Sequence, residues 1–302
     1  MMKEQEVPIP ESLYRQITQA LQWDPGARGL LSGPVPNYTE ALLAQLKKLE
    51  RAVLLTGFPV RCLDGRVAGE SDGPLGIANI AWALEESGIE VEALSDSVCF
   101  PQLAAAMAAR GCRTLPRAVP DSGQRIFFRN LLADFSPSHI ITLERPGKAG
   151  DGHFYNMRGG IIDAMLSDTD SIMEEARHVH AKIISVGDGG NELGMGALRH
   201  LIQERVPQGK LICGEAPADV TLVSGVSNWW GWGIAAFYSL IKGENYLPSP
   251  EKEREMLRAL IASGGADGCT GLREETVDGL PLDVHLSVLE KVDGLVREAL
   301  SK

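Results

Sequence analysis

Short apolar runs alternate along the chain with longer amphipathic stretches. Runs rich in β-branched residues predict buried strands, at 52–58, 91–95, 138–144, 183–186 and 220–224. Apolar residues at helical spacing predict helices, at 11–22, 37–50, 77–84, 101–110, 169–178, 229–241, 250–262 and 282–300. This alternation predicts an α/β fold, with a mostly parallel sheet and helices on both faces in a three-layer, Rossmann-like arrangement.

Length sets the expected domain organisation. A chain of 302 residues can bury one large core. We expect residues 1–302 to form a single α/β domain, with the helices within 1–50 packing on it.

The stretch Ile183 to Gly196 is the most distinctive in the chain, reading Ile-Ile-Ser-Val-Gly-Asp-Gly-Gly-Asn-Glu-Leu-Gly-Met-Gly. Gly189 and Gly190 can adopt positive φ, so the backbone can turn sharply after the strand. The two residues that follow predict the start of a helix, whose free N–H groups favour anions. Asp188 and Glu192 would then stand at the rim of a cup lined by N–H groups. This geometry predicts a site for a small charged molecule.

Two familiar phosphate-binding loops are excluded in this stretch. Met195 and Gly196 stand where a P-loop needs Lys and then Ser or Thr. The third glycine of a dinucleotide fingerprint is also missing. We therefore expect no nucleotide or other organic cofactor.

Four of the predicted strands lead into loops that carry polar residues. Ligands of parallel sheets bind beyond the carboxyl ends of the strands, so we expect these residues to share one site. They are Glu70 and Asp72, then Glu144 and Arg145, then Asp188, Asn191 and Glu192, and finally Ser227 and Asn228.

Amino-acid composition limits the kinds of partner, and the cellular compartment, that we expect for this protein. The net charge is −11 with no long Lys/Arg run, which excludes nucleic acid and anionic membranes as expected partners. Five scattered cysteines without a Cys-x-x-Cys pair indicate reduced thiols. Residues 1–6 lack an apolar signal core, and 229–241 is too short to span a bilayer. We expect a cytoplasmic protein with a small-molecule partner; whether it forms a homo-oligomer stays open.

Four blocks of the sequence carry a family resemblance. They are 70–76 (Glu-Ser-Asp-Gly-Pro-Leu-Gly), 143–147 (Leu-Glu-Arg-Pro-Gly), 151–159 (Asp-Gly-x-x-Tyr-Asn-Met-Arg-Gly) and 187–196 (Gly-Asp-Gly-Gly-Asn-Glu-Leu-Gly-Met-Gly). In this order they resemble the signature blocks of the D-glutamate cyclase C-terminal domain family. The resemblance implies a lyase that converts D-glutamate into 5-oxo-D-proline and water.

The loop residues suit this chemistry, because the substrate's own amine attacks its γ-carboxyl and no protein nucleophile is needed. The catalytic candidates are Asp188, Glu192, Asp72 and Glu144. The substrate-binding candidates are Arg145, Arg158, Gly189, Gly190, Asn191, Asn156 and Asn228. Asp188 and Glu192 could instead hold Mg²⁺ or Mn²⁺, and the sequence does not choose between base and metal ligand. The arginines have an alternative role in ion pairs that hold loops together.

Two other functions compete with a cyclase. Residues 187–191 resemble the acidic Mg²⁺ loop of haloacid-dehalogenase-type phosphatases. Such an enzyme needs an Asp-x-Asp nucleophile after an early strand, and the match, Asp168 and Asp170, falls at a predicted helix start instead. A non-catalytic binder of amino acids or dicarboxylates would use the same loops as an enzyme.

Overall fold

The computed structural model describes residues 9–301. Residues 1–6, where no signal core is predicted, lie outside this range. The described part of the chain contains ten strands: β1 (Arg51–Thr56), β2 (Pro59–Arg61), β3 (Val67–Gly69), β4 (Glu90–Asp96), β5 (Arg117–Val119), β6 (His139–Leu143), β7 (Lys182–Gly187), β8 (Val220–Val223), β9 (Thr276–Val277) and β10 (Leu280–Pro281).

Eleven α-helices are found in the same range, together with short 3₁₀ turns at Asp163–Met165 and Gly196–Leu198. The helices are α1 (Glu11–Leu21), α2 (Thr39–Leu46), α3 (Pro74–Glu86), α4 (Phe100–Arg110), α5 (Gln124–Phe135), α6 (Ser171–His178), α7 (Arg199–Arg205), α8 (Gly209–Ile212), α9 (Trp229–Lys242), α10 (Pro250–Ala262) and α11 (Leu282–Leu300). None of these described helices is both long and apolar enough to cross a membrane.

Six strands form one parallel sheet in the order β5-β4-β1-β6-β7-β8. The chain leaves β1 toward one edge through β4 and β5. It then returns to place β6 on the other side of β1. The order therefore reverses between β1 and β6, and this switch point opens a crevice at the carboxyl ends of the strands.

Both faces of the sheet are covered. Along β1, Ala52 and Leu54 pack into the larger core with α1, α3, α9 and α11, whereas Val53 and Leu55 pack with α5 and α6. The period of two in a strand thus supplies a core on each side. The predicted three-layer α/β fold is confirmed. Helices α1 and α2 pack against α9, while the division into domains stays a prediction.

All five predicted strands are present, with ends shifted by at most two residues. The helix predicted to start at Asn191 is wrong: residues 188–195 remain irregular and α7 begins only at Arg199. The reason is a side chain, since the Glu192 carboxylate bonds the backbone N–H groups that a helix would have oriented. Helix α2 also ends earlier than predicted, at Leu46.

Helices α3 and α9 cross at a glycine pair. A Cβ on Gly231 would lie 2.4 Å from Gly76 Cα, whereas a Cβ on Gly294 of α11 would meet no atom within 4 Å. We expect Gly231→Ala to destabilise the fold by about 1–3 kcal/mol, because the helices must separate. Gly294→Ala should stabilise it by about 0.5–1 kcal/mol through helix propensity. Denaturant unfolding measures both variants, and equal effects would contradict the close crossing.

Candidate functional site

Three carboxylates meet at the carboxyl edge of the sheet. Glu144 directly follows β6, Asp188 directly follows β7, and Asp72 lies in the loop between β3 and α3. Each offers an oxygen atom, and these three oxygens lie within 4.8 Å of one another. All three side chains are buried. We call Asp72, Glu144 and Asp188 the carboxylate cluster; all three are catalytic candidates predicted from the sequence.

The loop after β8 holds this cluster together. The Asn228 N–H donates to Asp72 Oδ1 at 2.7 Å, and the Ser227 N–H donates to Asp72 Oδ2 at 3.0 Å and to Asp188 Oδ2 at 3.2 Å. The Ser227 hydroxyl donates to Glu144 Oε2 at 2.6 Å. Ser227 therefore contacts every member of the cluster, and its role is to position the three carboxylates.

Backbone strain accompanies the cluster at one point. Glu144 has a φ of 46°, in the left-handed region that non-glycine residues rarely adopt. Its carbonyl accepts the Gly57 N–H at 3.1 Å, and its own N–H donates to the Val186 carbonyl at 3.3 Å. Strain of this kind persists only where the surroundings enforce it, and it is frequent at functional sites.

One guanidinium enters the acidic region, by which we mean the carboxylate cluster together with Glu70 and Asp278. Arg28, in the loop after α1, places Nη1 2.9 Å from Asp188 Oδ1, and its Nη2 pairs with Asp278 in the turn between β9 and β10. The Arg28 side chain is 16% exposed, against 1% for Asp188 and 5% for Asp278. The region therefore approaches solvent on the side of Arg28.

Burial and crowding shift the acid–base properties of these groups. Desolvation first, and then repulsion from neighbouring carboxylates, raises the pKa of Glu70, Glu144 and Asp188 well above the usual range. The same causes raise the pKa of Asp72 to about 8. Burial alone would lower the pKa of Arg28, but Asp188 and Asp278 raise it. The acidic region thus holds more carboxyl groups than the guanidinium of Arg28 can neutralise, and it favours protons or cations.

The predicted cup for an external anion is filled by the chain itself. Glu192 Oε1 accepts the N–H groups of Asp188 at 2.9 Å and Gly189 at 2.7 Å, and Oε2 accepts the Gly190 N–H at 2.7 Å. With both oxygens bonded to its own loop, Glu192 shapes the turn that presents Asp188. Glu192 is not among the three converging carboxylates, and the two glycine N–H groups already bond its side chain, so the structure does not support Glu192 as a metal ligand or these N–H groups as substrate contacts.

Arg145 also differs from its expected role. It is fully buried, and all three of its guanidinium nitrogens donate to protein acceptors. Nε donates to Thr169 Oγ1 at 2.9 Å, Nη1 to Asp96 Oδ2 at 2.5 Å and to the Gly57 carbonyl, and Nη2 to the Ser167 carbonyl. We therefore assign Arg145 to the alternative role foreseen for it, an ion pair that joins loops.

The three asparagines among the candidates also hold loops. Asn228 Oδ1 accepts the N–H groups of Gly73 and Gly76, which fixes the loop that carries Asp72. The Asn191 amide donates to the Tyr155 carbonyl at 2.7 Å, and Asn156 Oδ1 accepts two N–H groups within its own turn. Asn228 also reaches the cluster directly through its N–H, whereas the Asn191 and Asn156 side chains bond the backbone of loops.

Arg158 remains available for a ligand. It is exposed, and its Nη2 donates to the Cys269 carbonyl at 3.1 Å. The thiol of the same Cys269 lies 3.8 Å from Arg28 Nη2, which places Arg158 beside the exposed side of the acidic region. No carboxylate pairs with Arg158 in the part of the chain described.

The arrangement required for the phosphatase alternative is not found. Asp168 and Asp170 precede α6 and do not follow an early strand. Lys148 contacts both: its ammonium pairs with Asp168, and its N–H donates to Asp170 Oδ2 at 3.0 Å.

Sequence reasoning missed Arg28 and Asp278. Arg28 stands in a Gly- and Pro-rich loop, and Asp278-Gly279 is an ordinary hairpin-turn dipeptide. Neither signal distinguishes a site from a turn, because these residues meet the cluster only through contacts far apart in sequence.

Comparison with known proteins places the chain in a family. The chain is similar to the protein named D-glutamate cyclase, mitochondrial, of Homo sapiens, with 27% identity over 324 residues that cover 92% of this chain and 51% of that protein. The chain thus spans about half the length of this relative. The family described as D-glutamate cyclase-like, C-terminal matches residues 17–293, a range that includes Arg28, the carboxylate cluster and Asp278. The chain belongs to the D-glutamate cyclase-like C-terminal family.

Proposed function

We propose that the protein is a carbon–oxygen lyase that cyclises D-glutamate, or a closely related amino dicarboxylate, to 5-oxo-D-proline with release of water. The observation that carries this proposal is the buried carboxylate cluster, in a chain of the D-glutamate cyclase-like family. Its partner is thus a small molecule. We further propose that it works in the cytosol, where its five free thiols stay reduced.

The reaction needs proton transfer and a bent substrate. The substrate ammonium must lose a proton before its nitrogen can attack the γ-carboxyl carbon. The new carbon–nitrogen bond forms as one carbon–oxygen bond breaks, and the two protons lost by nitrogen leave with that oxygen as water. Asp72, whose pKa is raised to about 8, can accept and return protons near neutral pH, and Asp188, whose pKa burial raises in the same direction, is the second candidate.

As the alternative to a carboxylate base, we propose that the carboxylate cluster holds a divalent cation, Mg²⁺ or Mn²⁺. Three converging carboxylates are the hard oxygen donors that these ions prefer. Asp188 Oδ1 supports the fit, because it is buried without a well-directed hydrogen bond even though Arg28 Nη1 is near. Such a cation supplies Lewis-acid chemistry, reducing the negative charge of the γ-carboxylate. Arg158 at the exposed side can receive the other substrate carboxylate.

Product analysis tests the function directly. The purified chain is incubated with D-glutamate and Mg²⁺ or Mn²⁺, and chiral chromatography measures 5-oxo-D-proline. L-Glutamate and a chelator serve as controls. Binding of D-glutamate without product would instead identify a non-catalytic binding protein.

The raised pKa values predict a stability profile in the presence of chelator. Asp72 holds its proton in the folded state up to a pKa of about 8, whereas the unfolded residue, at 3.8, releases it. The contribution of this proton to the free energy of unfolding is fully present below about pH 4 and is lost as the pH rises toward 8. We therefore expect the melting temperature to fall between about pH 5 and 8.

A cation in the cluster should reverse this loss at pH 8. At a hundredfold excess over its dissociation constant, Mn²⁺ or Mg²⁺ would stabilise the fold by about 2.7 kcal/mol. Thermal melting with and without the cation measures the effect, with Na⁺ at equal ionic strength as control. Asp72→Asn should reduce both the pH dependence and the response to the cation. Equal melting with and without divalent cation would refute the cation site.

Asp188 gives the sharpest variant for activity. Asp188→Asn keeps the shape and the contact with the Ser227 N–H but removes a charge, so we expect turnover to fall by about 10²–10⁴-fold. Asp134→Asn, at an exposed position on α5, is the matched control and should retain full activity. Melting curves of both variants accompany the assay. A folded Asp188→Asn variant with wild-type turnover would remove Asp188 from the mechanism.

A further inference from the structure

The hairpin of β9 and β10 carries an aspartate, Asp278, that is not part of the carboxylate cluster. Asp278 occupies the turn with a φ of 55°, and its side chain is only 5% exposed. The turn is held from three directions. The Gly279 N–H donates to Asp267 Oδ2 at 2.7 Å, His285 Nε2 contacts the Val277 carbonyl at 3.2 Å, and the Ser71 hydroxyl donates to the Thr276 carbonyl at 2.9 Å. The Asp278 carboxylate is therefore fixed in place at some conformational cost.

One oxygen of this carboxylate has no partner among the described residues. Arg28 Nη2 pairs with Asp278 Oδ1, but Oδ2 is buried and receives no hydrogen bond. The hydroxyl of Thr276, two residues earlier on the same hairpin, is also buried and unpaired. Buried polar atoms are almost always satisfied in folded proteins, so two unpaired atoms on one hairpin point to a donor supplied from outside the chain.

The chemistry of the missing donor follows from the surroundings. Asp278 lies outside the group of three converging carboxylates, and a guanidinium already contacts its Oδ1. Among the described residues, no two further carboxylates converge with Asp278 closely enough to complete a metal site. An ammonium group instead carries several N–H donors, which suit a carboxylate oxygen and a hydroxyl. The same Arg28 contacts Asp188, so this subsite adjoins the carboxylate cluster.

We propose that Asp278, with Thr276, forms the subsite for the α-ammonium group of the substrate. This inference rests on the proposed function only in taking the substrate to be an amino dicarboxylate. The γ-carboxyl group would lie at the carboxylate cluster and the ammonium at Asp278, on opposite sides of one guanidinium. That placement holds both reacting groups of the substrate, the amine and the γ-carboxyl group, beside Arg28, and it selects for dicarboxylates that carry an amine.

Two ligands that differ only in the amine test this subsite. Glutarate has the carbon chain and both carboxylates of D-glutamate but no amine. Asp278→Asn removes the charge, and Asn tolerates the left-handed conformation of the turn. We expect this variant to weaken the binding of D-glutamate by about ten- to a hundredfold and the binding of glutarate by less than about threefold. Asp283→Asn, at a highly exposed position on α11, should change neither.

The measurements are the Michaelis constant for D-glutamate where turnover occurs, the inhibition constant of glutarate, and calorimetry for ligands that are not converted. An equal loss for both ligands, or no loss for either, would overturn the ammonium subsite. If Asp278→Asn melts far below wild type, Asp278→Gly, which also accepts the positive φ, repeats the comparison.

The outcomes separate this inference from the proposed reaction. A wild-type chain that prefers D-glutamate to glutarate, loses the preference in Asp278→Asn and forms no 5-oxoproline would keep the subsite and refute the cyclase. A chain that forms 5-oxoproline and keeps its ligand preference in Asp278→Asn would keep the cyclase and refute the subsite.

Discussion

Buried negative charge at the carboxyl edge of the sheet is the constraint on which the surrounding structure depends. Carboxylates removed from water are costly unless a cation, a proton or directed N–H groups compensate them. This protein uses all three means. Arg28 joins Asp188 to Asp278, the pKa of Asp72 rises to about 8, and the N–H groups of Ser227 and Asn228 bond Asp72. Even so, Asp188 and Asp278 each keep a buried oxygen without a hydrogen bond, which leaves the edge suited to a cationic ligand.

The glycine-rich turn after β7 shows how the chain manages part of this charge internally. Its N–H groups converge as they do in anion-binding loops, yet the anion is the side chain of Glu192. A Cβ on Gly187 would lie 2.6 Å from that carboxylate, so the glycine is needed for the close approach. The result is a rigid platform that directs Asp188 toward the cluster. A loop of this composition can therefore serve as the support of a site and leave ligand contacts to its neighbours.

Residues from both ends of the described chain complete the edge. Arg28 precedes the first strand of the sheet and Asp278 follows the last, yet they pair across it. Reversal of strand order between β1 and β6 opens the crevice, and the loop after β8 closes one side of it. The site therefore depends on the whole fold, because one loop supplies its charge-neutralising arginine and a distant hairpin supplies one of its acids.

Local sequence determined the framework of this protein. Strands and most helices follow from apolar periodicity, and the glycines and acids after β6 and β7 identified Glu144 and Asp188, because these signals act between near neighbours in the chain. Tertiary structure alone decided which charges pair. The sequence predicted that Arg145 contacts the ligand, but in the folded protein Arg145 is buried and pairs with Asp96. Arg28, in a loop without a distinctive sequence, pairs with Asp188 instead. Electrostatic partners and the pKa values that follow depend on distance and desolvation in the folded state, which no local pattern encodes.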